Sequence, residues 1–116
     1  MTNSKQNYKR GDLVLLNFTF SEETGVKQRP TLILSAETYM KDRQEIIVAA
    51  ITSNVGRILT GDYRIKHWKE AGLLYPSVVT GIIRTVKQSM IQRKLGILAK
   101  ADFQAVERNL KAVLGF

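Results

Sequence analysis

Gly25-Val26-Lys27-Gln28-Arg29-Pro30-Thr31-Leu32-Ile33-Leu34-Ser35 has two unlike halves, and their junction constrains the fold more than any other stretch. The first half is basic and reads as flexible. The second is an unbroken apolar run opened by a proline. Pro30 fixes its own φ and biases Arg29 toward an extended backbone, which predicts a guanidinium held where loop becomes strand. Thr31 to Leu34, rich in β-formers and without polar alternation, reads as a strand buried on both faces. Such a strand needs cover on two sides, as in a closed barrel or a sheet flanked by other elements.

The same character recurs along the chain. A Gly11-Asp12 turn leads to the nearly continuous run Leu13–Phe20. Ser21–Gln28 reads as a long polar loop, and Glu37–Gln44 as a polar excursion. Glu45–Ile51 is a third strand, ending in Thr52-Ser53-Asn54, and Val55–Gly61 is a further loop. Asp62–Ile65 reads as a short strand, and Lys66–Gly72 as one or two helical turns closed by Gly72. Beyond Pro76 comes the β-branched run Ser77–Val86, where Gly81 predicts a bulge or a close backbone approach. A turn near Lys87–Met90 precedes a last strand around Lys94–Leu98. Phe103, Val106, Leu110 and Val113 or Leu114 make one stripe of an amphipathic helix over Ala101–Leu114. Its N-cap is poor, since Ala99 and Lys100 offer no side-chain acceptor. These elements predict an α+β, mainly β domain: a small antiparallel sheet or barrel with a short internal helix and a C-terminal helix. Residues 1–10 read as a flexible tail and 11–116 as a single domain.

Composition narrows the chemistry. With 116 residues there is room for one core. No cysteine is present, which excludes disulfides and thiolate catalysis and agrees with a cytoplasmic setting. No signal-peptide pattern is visible, and no apolar run is long enough to cross a bilayer, so no membrane role is expected. The single histidine, His67, cannot form a two-histidine nuclease site or a histidine metal cluster, and the ten carboxylates are scattered. No metal site and no cofactor is expected; phosphate-loop and dinucleotide motifs are absent. A formal charge of +8 points to an acidic partner, either nucleic acid or protein.

What remains is a polar constellation, Arg29 at the start of strand two and Thr52, Ser53 and Asn54 at the end of strand three. Neighbouring strands would bring these groups to one end of the sheet. Arginine carries a permanent charge on a planar fork suited to phosphate oxygens, and hydroxyls can donate to a developing oxyanion. An RNA phosphodiester attacked by its own 2′-OH would need this kind of positioning and charge. The alternative is a structural arginine beside a Thr-Ser turn cap.

The ordered motifs resemble the PemK/MazF toxins of type II toxin–antitoxin modules over nearly all of residues 9–116. They are Lys9-Arg10-Gly11-Asp12-Leu13-Val14, Lys27-Gln28-Arg29-Pro30 with Leu32–Ser35, and Val48-Ala49-Ala50-Ile51-Thr52-Ser53. Then follow Trp68-Lys69-Glu70-Ala71-Gly72-Leu73 with Pro76-Ser77-Val78, Ile83-Arg84-Thr85, and Lys94-Leu95-Gly96. The resemblance implies an SH3-like barrel, a homodimer and an endoribonuclease on single-stranded RNA, held in check by an acidic antitoxin. It places catalysis on Arg29, Thr52 and the adjacent Ser53, and RNA binding on Phe18, Thr19, Lys27, Gln28, Asn54, Arg84 and Thr85. Arginine stays protonated in proteins, so Arg29 is assigned to phosphate and transition-state charge rather than to proton transfer. Two departures stand out: Gly81 and Ile82 occupy positions where many relatives carry Asp-Gln, and the first loop carries Glu22 and Glu23. A gyrase poison of the same fold and a non-cutting RNA-binding module are the competing readings. The poison depends on a tryptophan near the C-terminus, whereas this chain ends Val113-Leu114-Gly115-Phe116 and has its tryptophan at position 68.

Overall fold

The computed structural model describes residues 7–19 and 26–116, the side chains at 18, 19 and 26 excepted. Residues 1–6 of the expected tail, and Glu22 and Glu23, lie outside the described residues. The elements run β1 (Asp12–Thr19), β2 (Val26–Ile33), α1 (Glu37–Asp42), β3 (Glu45–Thr52), β4 (Tyr63–Arg64), β5 (Val78–Lys87), β6 (Ile91–Ile97) and α2 (Lys100–Leu114), with a 3₁₀ turn at Gln88–Met90. All strands join one antiparallel sheet in the order β4-β5-β3-β2-β1-β6.

Near-continuous apolar runs produce a sheet with a core on each face, because successive side chains of a strand point to opposite sides. Leu13 pairs with Leu32 and Leu32 with Ala49. This row, with Ile51, Val79, Leu98 and Val106, forms one core, against which Phe103 and Leu110 of α2 also pack. Val14, Leu16, Ile33, Ile46 and Val48 form the other, closed by Met40 of α1. Each fully buried Leu, Ile or Val contributes about 1.5–3 kcal/mol relative to exposure. The doubly buried first and second strands expected from sequence are therefore present.

Four boundaries differ from the sequence reading. β6 starts at Ile91 and not near Lys94, because β1 pairs with it as far as Leu16↔Ile91. β2 starts at Val26, not Pro30, because β1 pairs with it as far as Thr19↔Val26 and draws Lys27, Gln28 and Arg29 into the strand. Pro30 is tolerated there because pairing with β3 starts only at Thr31. The short internal helix lies at Glu37–Asp42, where a loop was expected; six residues with one buried anchor, Met40, are too few to show a helical period. Lys66–Gly72 makes successive turns instead of a helix, though Gly72 still closes them at φ 91°. The expected bulge in β5 is present: Ala49 pairs with Ile83 and Ile51 with Val79, leaving β5 two residues longer than its partner around Gly81.

Two devices tie the periphery to the sheet. Asp102 of α2 is fully buried and accepts hydrogen bonds from Tyr63 Oη (2.5 Å), the Lys66 amide (3.1 Å) and the His67 amide (3.0 Å). Gly72 and Gly96 hold the turn against β6 backbone to backbone. A Cβ at Gly96 would collide with the Ala71 carbonyl, and one at Gly72 with the Leu95 carbonyl. Gly96→Ala is accordingly expected to lower stability by about 2–3 kcal/mol, read as a lower urea midpoint. Gly56→Ala, where the new methyl meets only the Asn54 side chain at 3.7 Å, serves as the control.

Candidate functional site

The site lies where β2, β3 and β5 meet. Thr31 pairs with Ala50. Carrying this antiparallel register on by two residues brings Arg29 level with Thr52, although formal pairing has ended at the proline. Arg29, Thr52, Thr80, Ile82 and Arg84 line one pocket of 270 Å³. Thr52 Oγ1 accepts the Asn54 amide at 3.1 Å, which orients the hydroxyl and uses a lone pair, not the proton. That proton can be donated to an anion seated between the two guanidinium groups.

The rim of this pocket is the β5 bulge, held from three directions. Thr80 Oγ1 donates to the Ala50 carbonyl (2.8 Å) and accepts the Ile82 amide (3.2 Å). The Gly81 amide, at the centre of the bulge, donates to Asp62 Oδ1 at 3.0 Å. Asp62 Oδ2 accepts the Leu59 amide (2.9 Å), and the Asp62 carbonyl accepts from Asn109 of α2 (3.1 Å). Helix, loop and bulge are thus connected through one residue. Without the carboxylate the Gly81 amide would lose its acceptor, so Asp62→Ala is expected to accelerate hydrogen exchange at Gly81 at least ~10-fold while leaving the core amides protected.

Arg29 also borders a second hollow of 570 Å³, on whose wall lie Gln28, Ser53, Leu74, Tyr75 and Arg93. Thr52 and Ser53 therefore serve different hollows, as expected of consecutive residues at a strand end. Arg29, Thr52 and Arg84 share one pocket, while Gln28 and Ser53 share the other. Lys27, Asn54 and Thr85 line neither. Lys27 is exposed on β2 opposite Phe18, and Thr85 is exposed opposite Ile47. Asn54 sits in a turn, its Oδ1 accepting the Gly56 amide at 3.3 Å. Phe18 and Thr19 occupy the end of β1, their side chains outside the described residues.

Thr80, Tyr75 and Arg93 belong to the two hollows and were not singled out from sequence, while Ile82 stood out there only as a departure from the family's Asp-Gln. Arg93 comes in through register alone: Leu15 pairs with Pro30 on one side and Arg93 on the other. Gly81 was the one local signal for Thr80 and Ile82. A third hollow of 580 Å³, between α2 and the sheet, has Arg10, Ile47, Ile83, Arg108 and Phe116 on its walls and holds none of the expected site residues. There Arg10 pairs with Glu107 at 2.6 Å and lies 4.5 Å from the Phe103 ring centroid. Among the described residues no group of three or more His, Cys, Asp or Glu side chains is arranged to hold a metal, and no helix is long and apolar enough to cross a membrane.

The strand order, the two helices and the basic cleft between β2, β3 and β5 define a MazF-like fold. A MazE–MazF complex structure (form II) from Deinococcus radiodurans superimposes with a TM-score of 0.80 at 21% identity, covering 97% of this chain and 99% of that one. An endoribonuclease in complex with its cognate antitoxin from a mycobacterial species gives 0.75 at 17% identity, covering 94% and 96%. The Mycobacterium tuberculosis toxin MazF-mt6 gives 0.71 at 24% identity, covering 89% and 97%. No curated protein matches the sequence. Residues 9–114 match the family described as PemK-like, MazF-like toxin of type II toxin–antitoxin system. The chain belongs to that family.

Proposed function

We propose that this toxin is a metal-independent, sequence-specific endoribonuclease acting on single-stranded RNA in the cytoplasm, as a homodimer inhibited by an acidic antitoxin. The observation that carries the reading is the shared pocket of Arg29 and Thr52, with Arg84 beside them, in a chain of this family. Two of the structures it resembles are described as endoribonucleases, and one of these is bound to its antitoxin.

The chemistry follows from the groups present. The substrate's 2′-oxygen attacks the adjacent phosphorus, the P–O5′ bond breaks, and a 2′,3′-cyclic phosphate and a 5′-hydroxyl are left. Solvent takes the 2′-OH proton and returns one to the departing 5′-oxygen. Arg29 and Arg84 offset the charge that builds on the non-bridging oxygens, with Thr52 donating its hydroxyl to one of them. Ser53, on the other side of Arg29, contacts the chain flanking the cut. The bulge at Gly81 and Ile82 offers no carboxylate or amide side chain, so this assignment uses no Asp-Gln pair.

Incubation with RNA in excess EDTA is expected to yield discrete fragments ending in cyclic phosphate, with 5′-hydroxyl partners. Intact RNA, or cleavage abolished by the chelator and restored by a divalent ion, would refute it.

A further inference from the structure

The geometry points to a nucleobase-binding subsite in the second hollow, with Tyr75 as the stacking platform for a base next to the scissile phosphate. This inference rests on the RNA-cleaving reading above. Tyr75 is 64% exposed and Leu74 82% exposed, an aromatic and an aliphatic side chain side by side in water. Both line the 570 Å³ hollow, whose wall also carries Arg29, the residue that borders the phosphate pocket. A nucleotide chain with its phosphate at Arg29 has its neighbouring base within reach of this hollow. The remaining walls suit a base: Gln28 and Ser53 present donors and acceptors to its edge, and Arg93 adds positive charge.

The turn that displays Tyr75 is fixed at both ends. Leu73 and Ser77 are buried, and Leu74, Tyr75 and Pro76 project between them. Ser77 Oγ donates to the Tyr75 carbonyl at 2.7 Å, and the Ser77 carbonyl accepts the Ile65 amide at 3.0 Å. Upstream, the Gly72–Gly96 contact seats the turn on β6. An exposed aromatic on a fixed turn has already met most of the ordering cost of binding. Stacking is tolerant of base identity, so Gln28 and Ser53 are assigned the choice between bases.

The test compares wild type, Tyr75→Ala and Tyr75→Phe on a fluorescently labelled RNA containing the wild-type cut sequence. It measures kcat, KM, the cut-site profile by end sequencing, and the sedimentation coefficient. Tyr75→Ala is expected to raise KM roughly 10-fold and relax the preference at one position beside the cut, and Tyr75→Phe to stay within about 3-fold of wild type. Because Tyr75 is exposed, both variants are expected to melt with the wild type. An alanine variant with wild-type KM and profile overturns the subsite. So does a phenylalanine variant that fails like alanine, or a KM change that follows a loss of dimer. A wild-type protein that leaves RNA intact removes the nuclease reading itself; wild-type cutting with an unaffected Tyr75→Ala removes only this subsite.

Discussion

Arg29→Ala is expected to slow RNA cleavage by roughly 10²-fold or more, the usual cost of deleting one donor that meets charge developing in a transition state. Single-turnover cleavage of a short RNA reads this directly, separated from product release. Arg29 is exposed on β2, so the melting temperature is expected to hold while the rate collapses. Arg29→Lys tests what the arginine supplies: it keeps the charge but loses the planar fork, and recovery is expected to be partial. Wild-type cleavage by Arg29→Ala would move the chemistry elsewhere. Arg84, across the same pocket, would be the next residue to test.

Asp102→Ala is expected to destabilise the fold by about 3–5 kcal/mol, measured by urea denaturation. The carboxylate is fully buried and accepts three hydrogen bonds, so its removal strands Tyr63 Oη and two backbone amides together. Asp102→Asn keeps one oxygen acceptor but turns an N–H₂ toward the remaining donor, and is expected to fall between. An unchanged urea midpoint would show that the network contributes nothing.

The same network sets a pH dependence with two limbs. Burial pushes the Asp102 carboxyl upward, but the Tyr63 hydroxyl and the His67 and Lys66 amides outweigh it and hold it below the usual carboxylate value. Its stabilisation is fully present above ~3.9, the unfolded value, and is lost as pH falls through the depressed folded value. Tyr63 is pushed up to about 12 by burial and by its bond to the Asp102 carboxylate. Its stabilisation is complete below ~10 and is lost as pH rises through the raised folded value. Asp102→Ala is expected to remove the acid limb of a stability–pH curve and to shrink the alkaline limb, since the burial of Tyr63 remains.

Much of this molecule was legible in the residue order. β1, β3, β5 and α2 lie within one or two residues of their expected limits, because long β-branched runs and a 3.6-residue apolar stripe are strong local signals. Gly81 announced the bulge. The weak signals were short or polar: α1 is too brief to show a period, and Lys27–Arg29 are strand only because β1 pairs with them.

For the site, the sequence alone determined the types of group available: a proline-anchored arginine, a Thr-Ser pair at a strand end, and no histidine or cysteine set to compete with them. Motif order did the same for the family. The tertiary structure decided which of these groups meet. Register set Arg29 level with Thr52, the bulge brought in Thr80 and Ile82, and a strand two places away delivered Arg93. Such encounters join positions far apart in the chain, and pairing and burial specify them where local propensity does not. The Gly25–Ser35 stretch shows the division: its arginine was recognisable from its neighbours, but its two hollows exist only once β3, β5 and β6 surround it.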